Sequence, residues 1–168
     1  MREVMADAWE RWARRCAELT PQQWSTATRC RPWDLGGLVA HLSPDRSLFD
    51  MLNAATTDQP AAARLTPDDP VTRFTECAEI LSATPMSKET VISCPVVGCT
   101  TSAVVAEVAL MEPTVHLLDM ADAVGGVQPS EKALTATRDL LIAVPDPTAA
   151  IDVLTGRADP AAAVPAIR

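Results

Sequence analysis

The sequence EPTVHLLD (residues 112–119) places three side chains that can bind a metal, Glu112, His116 and Asp119, in a largely apolar stretch of the chain. The surrounding apolar residues include Val104, Val105, Val108, Leu110, Met111, Val115, Leu117 and Leu118. If this segment is helical, Glu112 and His116 lie one turn apart on one face, and Asp119 follows on the same stripe. Burying three such groups without partners would be costly, so the pattern requires an explanation.

The chain contains two histidines, and the other one, His41, lies in a second apolar segment, LGGLVAHL (residues 35–42). Two histidines and one carboxylate suit Zn, Fe, Ni or Mn and leave coordination positions open for water or substrate. The cores of helical bundles often hold such sites. We therefore predict that the fold brings the two segments together around one divalent metal ion. The alternative is that both histidines are separate core residues with satisfied hydrogen bonds, and that Glu112 pairs with an arginine.

The spacing of apolar residues along the rest of the chain predicts an all-α fold. Asp34 and Thr101 are expected to begin two of the helices as N-caps, and Gly125-Gly126 to end one. Residues 54–68 are predicted to form a long polar loop, and a brief extended piece is expected near 91–97. The predicted helices cover residues 3–19, 35–53, 70–83, 103–124 and 129–143, with a short helical turn at 149–154.

Pro113 falls inside the fourth predicted helix, directly after Glu112. In an ordinary helix interior, a proline removes one backbone hydrogen bond and costs about 3 kcal/mol. We therefore expect a kink that re-aims the Glu112 side chain. Gly36 and Gly37 weaken the first turn of the second predicted helix, but they permit close approach of another part of the chain.

Length and composition narrow the function classes. The 168 residues are most simply one domain, and residues 155–168 are predicted to form a loosely ordered tail. The net charge of −8 disfavours nucleic acid as a partner, and no apolar run reaches the length of a membrane span. The N-terminus lacks the pattern of an export signal, so the five cysteines are expected to be reduced thiols in the cytoplasm.

Two segments carry a resemblance to a known family. The sequence WSTATRCRPWDLGGLVAHL (residues 24–42) resembles the N-terminal signature of actinobacterial DinB-like proteins, in which Trp, Cys, Trp and a Val-Ala-His helix follow in this order. Residues 112–125 resemble the second signature of the same group. Within that group, the chain is most similar to the mycothiol-dependent maleylpyruvate isomerase N-terminal domain superfamily, over roughly residues 5–145.

The resemblance implies a DinB-like four-helix bundle that holds a divalent metal through His41, Glu112 and His116, with zinc the favoured ion. Asp119 matches the aspartate of the second signature, and we expect it to support a ligand rather than to bind the metal itself. The relatives are implied to use the thiol cofactor mycothiol, whose thiol ionises when it binds a metal.

These implications give an expected function and two alternatives. We expect a metal-dependent enzyme that uses a mycothiol-like thiol for S-transfer, addition or isomerisation on a small electrophile, in detoxification or natural-product biosynthesis. The first alternative is a thiol-independent metalloenzyme that hydrolyses or cyclises a small metabolite. The second is a non-catalytic protein that binds a metal or a drug. A homodimer is a further expectation.

Several other residues are weaker candidates for the site. Trp33 could line the pocket, and Arg46 could hold a carboxylate of cofactor or substrate. Cys30, between the two tryptophans of the first signature, is expected to be a packing residue rather than a ligand or nucleophile. Cys94 and Cys99 have the spacing of half a zinc site, but the sequence contains no second pair.

Overall fold

The computed structural model describes residues 1–42, 69–83, 91–94 and 98–163, with only the backbone described at 80–83, 92–94, 98 and 102. The helices are α1 (Arg2–Ala17), α2 (Leu35–Leu42), α3 (Pro70–Ala83), α4 (Ser102–Val124), α5 (Glu131–Ala143) and α6 (Pro147–Leu154). Short 3₁₀ turns cover Gln23–Ser25 and Pro160–Ala162. Strands β1 (Val91–Cys94) and β2 (Gly98–Thr101) form an antiparallel hairpin in which Val91 lies opposite Thr101.

The predicted all-α fold is confirmed, with the hairpin as a small addition. Helix α3 has the predicted bounds, and α4 begins one residue earlier than expected. The predicted extension of α2 to residue 53, the loop at 54–68 and Arg46 lie outside the described residues, as do residues 164–168 of the predicted tail. In the ranges above, no helix combines the length and the apolar character that a membrane span requires.

Local sequence signals set the ends of the helices that matter for the site. The Asp34 carboxylate accepts a hydrogen bond from the Gly37 amide at 2.8 Å, which begins α2 as predicted. A side chain at Gly37 would lie 3.3 Å from Trp33, so this glycine allows Trp33 to pack on the first turn of α2. The Thr101 hydroxyl accepts from the Val104 amide at 3.4 Å and begins α4.

The core forms mainly where α1 packs against α3 and α4, while α2 and α5 pack on α4. Trp9 and Trp12 of α1 are almost fully buried, and both contact Phe74 of α3, with ring centroids 5.4 and 5.7 Å apart. The Trp12 indole N–H also donates to the carbonyl oxygen of Pro113 at 2.9 Å. Helix α1 is therefore tied to α4 at the residue that follows Glu112.

The C-terminus of α4 is fastened to α1 by a buried arginine. Arg15 is 7% exposed, and its guanidinium donates to the carbonyl oxygens of Gly125 at 2.9 Å and Val124 at 3.0 Å. These carbonyls have no partner within the helix, and the cation also lies at the negative end of the helix dipole. This contact fixes the far end of α4 and thereby the orientation of its middle turns.

We expect Gly126→Ala to destabilise the protein more than Gly156→Ala. Both glycines have a positive φ, +79° and +72°, where an alanine costs about 1–2 kcal/mol. A Cβ at Gly126 would also lie 3.1 Å from the Arg15 guanidinium, whereas a Cβ at Gly156 would meet nothing within 4 Å. Urea unfolding of both variants measures the difference. Equal losses in the free energy of unfolding would show that Arg15 moves without cost.

Candidate metal centre

The two apolar segments that carry the histidines meet in the structure. His41 lies in the last turn of α2, and Glu112 and His116 lie one turn apart in the middle of α4. The Glu112 Oε2 atom is 4.0 Å from His41 Nε2 and 3.5 Å from His116 Nε2. The two imidazole rings face each other edge to face, with centroids 5.3 Å apart. One donor atom from each residue thus lies within 4.8 Å of the other two.

The donor set fits a divalent metal ion. Metal–ligand bonds of about 2.1 Å at tetrahedral angles place donor atoms roughly 3.4 Å apart. The separations of 3.5 and 4.0 Å approach this value, so small side-chain movements would complete the geometry. Three protein ligands leave at least one position open, as catalytic sites require. The side chains of His41 and Glu112 are 42% and 45% exposed, so that position is accessible from solvent.

A buried carboxylate orients His116. Asp119 is 6% exposed, and its Oδ2 lies 2.8 Å from His116 Nδ1. Its other oxygen, Oδ1, accepts a hydrogen bond from Arg29 Nε at 2.6 Å. With Nδ1 engaged, His116 presents Nε2 to Glu112. A metal-binding histidine almost always binds a carboxylate, a carbonyl or a water through its other ring nitrogen. Asp119 is in the position of such a partner for His116.

The electrostatics of the cluster favour a cation. The hydrogen bond from His116 lowers the pKa of Glu112 and outweighs the opposite effect of burial. Burial pushes the pKa of His116 down, but the carboxylates of Glu112 and Asp119 raise it above the ordinary value. Two negative groups therefore surround one imidazole, and a positive charge placed among them is stabilised.

Trp33 lies where it can hold His41. Its ring stacks on the His41 imidazole with centroids 4.2 Å apart and an interplanar angle of 29°. Trp33 also lines the adjoining cavity, as does Cys30. Arg46, the arginine predicted to hold a carboxylate, is outside the described residues, whereas the cavity wall contains Arg138, which was not a candidate from the sequence.

Cys30, which was expected to be a packing residue, lies beside the candidate metal centre. Its sulfur, one His116 ring nitrogen and one Asp119 oxygen also lie within 4.8 Å of one another. His116 Nδ1 and Asp119 Oδ2 already bind each other, and Asp119 Oδ1 binds Arg29, so this second group has fewer free ligand atoms than the first. Burial, together with the charges of Asp119 and Glu112, raises the pKa of the Cys30 thiol. The side chain of Cys94 is outside the described set and Cys99 is exposed, so the structure gives no support for a zinc site at these two cysteines, which the sequence also did not favour.

A cavity of about 970 Å³ adjoins the cluster, and its wall on α5 and α6 was not predicted from the sequence. It lies among α2, α4, α5 and α6 and the loop that contains Cys30 and Trp33. The signal in the sequence is the spacing of Leu134, Leu141 and Ile142 on α5, which predicts one apolar face of a helix. In the structure this face lines the cavity instead of a filled core. The remaining wall residues include Met111, Val115, Leu118, Pro145, Ala150, Val153 and Leu154.

Comparison with known proteins identifies the family of the chain. The family model described as the mycothiol maleylpyruvate isomerase N-terminal domain matches residues 5–121, a range that contains His41, Glu112, His116 and Asp119. Neither the curated proteins nor the solved structures include a match to the chain. Because the matched range covers most of the sequence, the chain belongs to the mycothiol maleylpyruvate isomerase N-terminal domain family.

Proposed function

We propose that the protein is a metal-dependent enzyme that uses a mycothiol-like thiol for S-transfer, addition or isomerisation on a small electrophile. In this proposal, His41, Glu112 and His116 hold one divalent ion, with zinc favoured over Fe, Ni and Mn. The observation that carries it is the convergence of these residues at an open cavity, in a member of this family. Detoxification or natural-product biosynthesis, a cytoplasmic location and a homodimer stay predictions.

Each protein group has a defined part in this chemistry. A divalent metal held by His41, Glu112 and His116 would supply Lewis acidity, which lowers the pKa of a thiol from its ordinary value near 8.5. Asp119 holds the His116 ring in one tautomer, and Arg29 holds Asp119. Trp33 holds the His41 ring by stacking. The apolar cavity keeps the electrophile beside these ligands and displaces water from the nucleophile.

The size of the cavity also favours one alternative, a non-catalytic protein that binds a drug or another apolar molecule. A volume of about 970 Å³ is at the upper end of pockets for drug-sized ligands. Such a protein would need the cavity, but it would not need an ionised thiol beside the metal.

Cobalt substitution separates these functions. We expect Co(II)-loaded protein to gain a sulfur-to-cobalt charge-transfer absorption when mycothiol or N-acetylcysteine is added, because a thiolate would occupy the open position. N-acetylserine, which has oxygen in place of sulfur, is the matched control and should not produce this band. Cobalt binding without any response to either thiol would favour a thiol-independent protein, and absence of cobalt binding would refute the metal centre.

A further inference from the structure

We propose that the cavity selects an electrophile with an uncharged, largely apolar body, which lies along α5 and α6 while its reactive end meets the metal centre. This inference rests on the proposed function and names its substrate class. The cavity lies beside the His41–Glu112–His116 cluster and extends from it between α4, α5 and α6. A molecule bound by its body in this space would have one end at the open side of the cluster.

Apolar side chains from three helices form the wall. Met111, Val115 and Leu118 of α4 face the cavity from one side. The opposite side is formed by apolar residues of α5 and α6 and the turn between them: Leu134, Leu141, Ile142, Pro145, Val153 and Leu154. Because removal of apolar surface from water is favourable, such a wall favours an apolar ligand.

The rim of the cavity remains exposed. Leu134, Ile142 and Leu154 are 38%, 43% and 68% exposed, although all three line the cavity. Large apolar side chains clustered on one surface mark a place where another molecule binds. Since these residues continue the wall outward from the metal cluster, an occupant that covers them also fills the space beside the cluster.

The charges that line the cavity do not suit an acidic ligand body. Carboxylate recognition typically uses an arginine with free N–H groups. Arg138 is the one arginine or lysine among the described wall residues, and the neighbouring Asp139 carboxylate, which accepts from its Nε and Nη2 at 2.9 and 2.7 Å, balances its charge. Near the cluster, Arg29 is held by Asp119. The buried Thr137 hydroxyl, which also lines the cavity, is uncharged and has no hydrogen-bond partner in the described part of the chain.

Two fluorescent probes that differ by one sulfonate test the charge preference. N-phenyl-1-naphthylamine is neutral, and 8-anilino-1-naphthalenesulfonate carries the same aromatic body with a negative charge. We expect the neutral probe to bind the purified, metal-loaded protein at least about tenfold more tightly, because burial of an unpaired anion is costly. Equal affinities, or tighter binding of the sulfonate, would overturn the proposal.

Glutamate substitutions at exposed positions locate the site without disturbing the core. Leu154→Glu and Ile142→Glu place a carboxylate in the wall and should weaken binding of the neutral probe at least about tenfold. Ile151→Glu on α6 and Val144→Glu after α5 are the matched controls, since both residues are exposed, at 58% and 47%, and neither lines the cavity. These controls should change the affinity by less than about twofold.

Two further measurements separate the possible failures. His41→Ala should lose metal and the thiol response yet keep probe binding, so failure of the metal centre is distinguishable from failure of the cavity. Sedimentation velocity of Leu154→Glu and the parent protein tests whether a second copy of the chain covers this face instead. A dimer that Leu154→Glu dissociates, with no change in probe affinity, would contradict the small-molecule site.

Discussion

Replacement of His41 by alanine is expected to abolish stoichiometric metal binding while the protein stays folded. His41 supplies one of three donors, and its side chain is 42% exposed, so its removal opens no cavity in the core. The loss in affinity should exceed about a hundredfold, which is the upper end of the effect of losing only an orienting partner. Elemental analysis after dialysis and a competition titration with a chromophoric chelator measure it.

Matched variants on α4 show whether the effect belongs to the cluster. Glu112→Gln keeps the size of the side chain but removes a charged ligand, and it should also lose the metal. Glu107→Gln on the same helix is the control, because Glu107 is half-buried and outside the cavity. Full metal content in His41→Ala or Glu112→Gln would refute the ligand assignment.

Loss of the Asp119 carboxylate should weaken metal binding less than loss of His41 or Glu112 does. Asp119→Asn removes the charge that holds His116 Nδ1, and we expect the metal affinity to fall about 10- to 100-fold. Asp122→Asn, at an exposed position three residues further along α4, should leave the affinity unchanged. If Asp119→Asn binds the metal as tightly as the parent protein does, the contact between Asp119 and His116 does not contribute to metal binding.

Elements with local signals were the ones that could be predicted from the sequence. Asp34 and Thr101 act as N-caps and Gly125 ends α4, because caps depend on only a few neighbouring residues. The pairing of His41 with α4 was predicted from the polar metal-binding residue types within two apolar segments, and the resemblance of both segments to one family strengthened it. The structure brings these residues together, and their role as ligands stays a proposal.

Contacts between distant residues were not predictable in the same way. Arg15 binds carbonyls 109 and 110 residues later, and no spacing rule connects those positions. Leu134, Leu141 and Ile142 form a stripe that has the same pattern whether it faces a filled core or an open cavity. One local signal was also missed. Helix α6 begins at Pro147, earlier than the predicted turn at 149, because the Asp146 carboxylate accepts hydrogen bonds from the amides of Thr148 and Ala149.

Trp12→Ala is expected to cause the largest loss of stability, about 3–5 kcal/mol in the free energy of unfolding. Trp12 is fully buried, contacts Phe74 and donates a hydrogen bond to the Pro113 carbonyl oxygen. The substitution removes the indole from the interface between α1, α3 and α4. Urea unfolding monitored by circular dichroism measures the loss, and a change below about 1 kcal/mol would contradict the close packing of Trp12 between α1, α3 and α4.

The hydrogen bond to Pro113 can be separated from the volume of the indole, because α1 contains a second tryptophan without such a bond. Trp9 also contacts Phe74, but its Nε1 has no partner among the described residues. Trp9→Phe and Trp12→Phe remove similar volumes, yet only Trp12→Phe takes a donor from a buried carbonyl. We expect Trp12→Phe to cost about 1 kcal/mol more. It should also weaken metal binding, because Pro113 follows Glu112 and loses its tie to α1. Equal stability losses with unchanged metal affinity would show that Trp12 acts through volume alone.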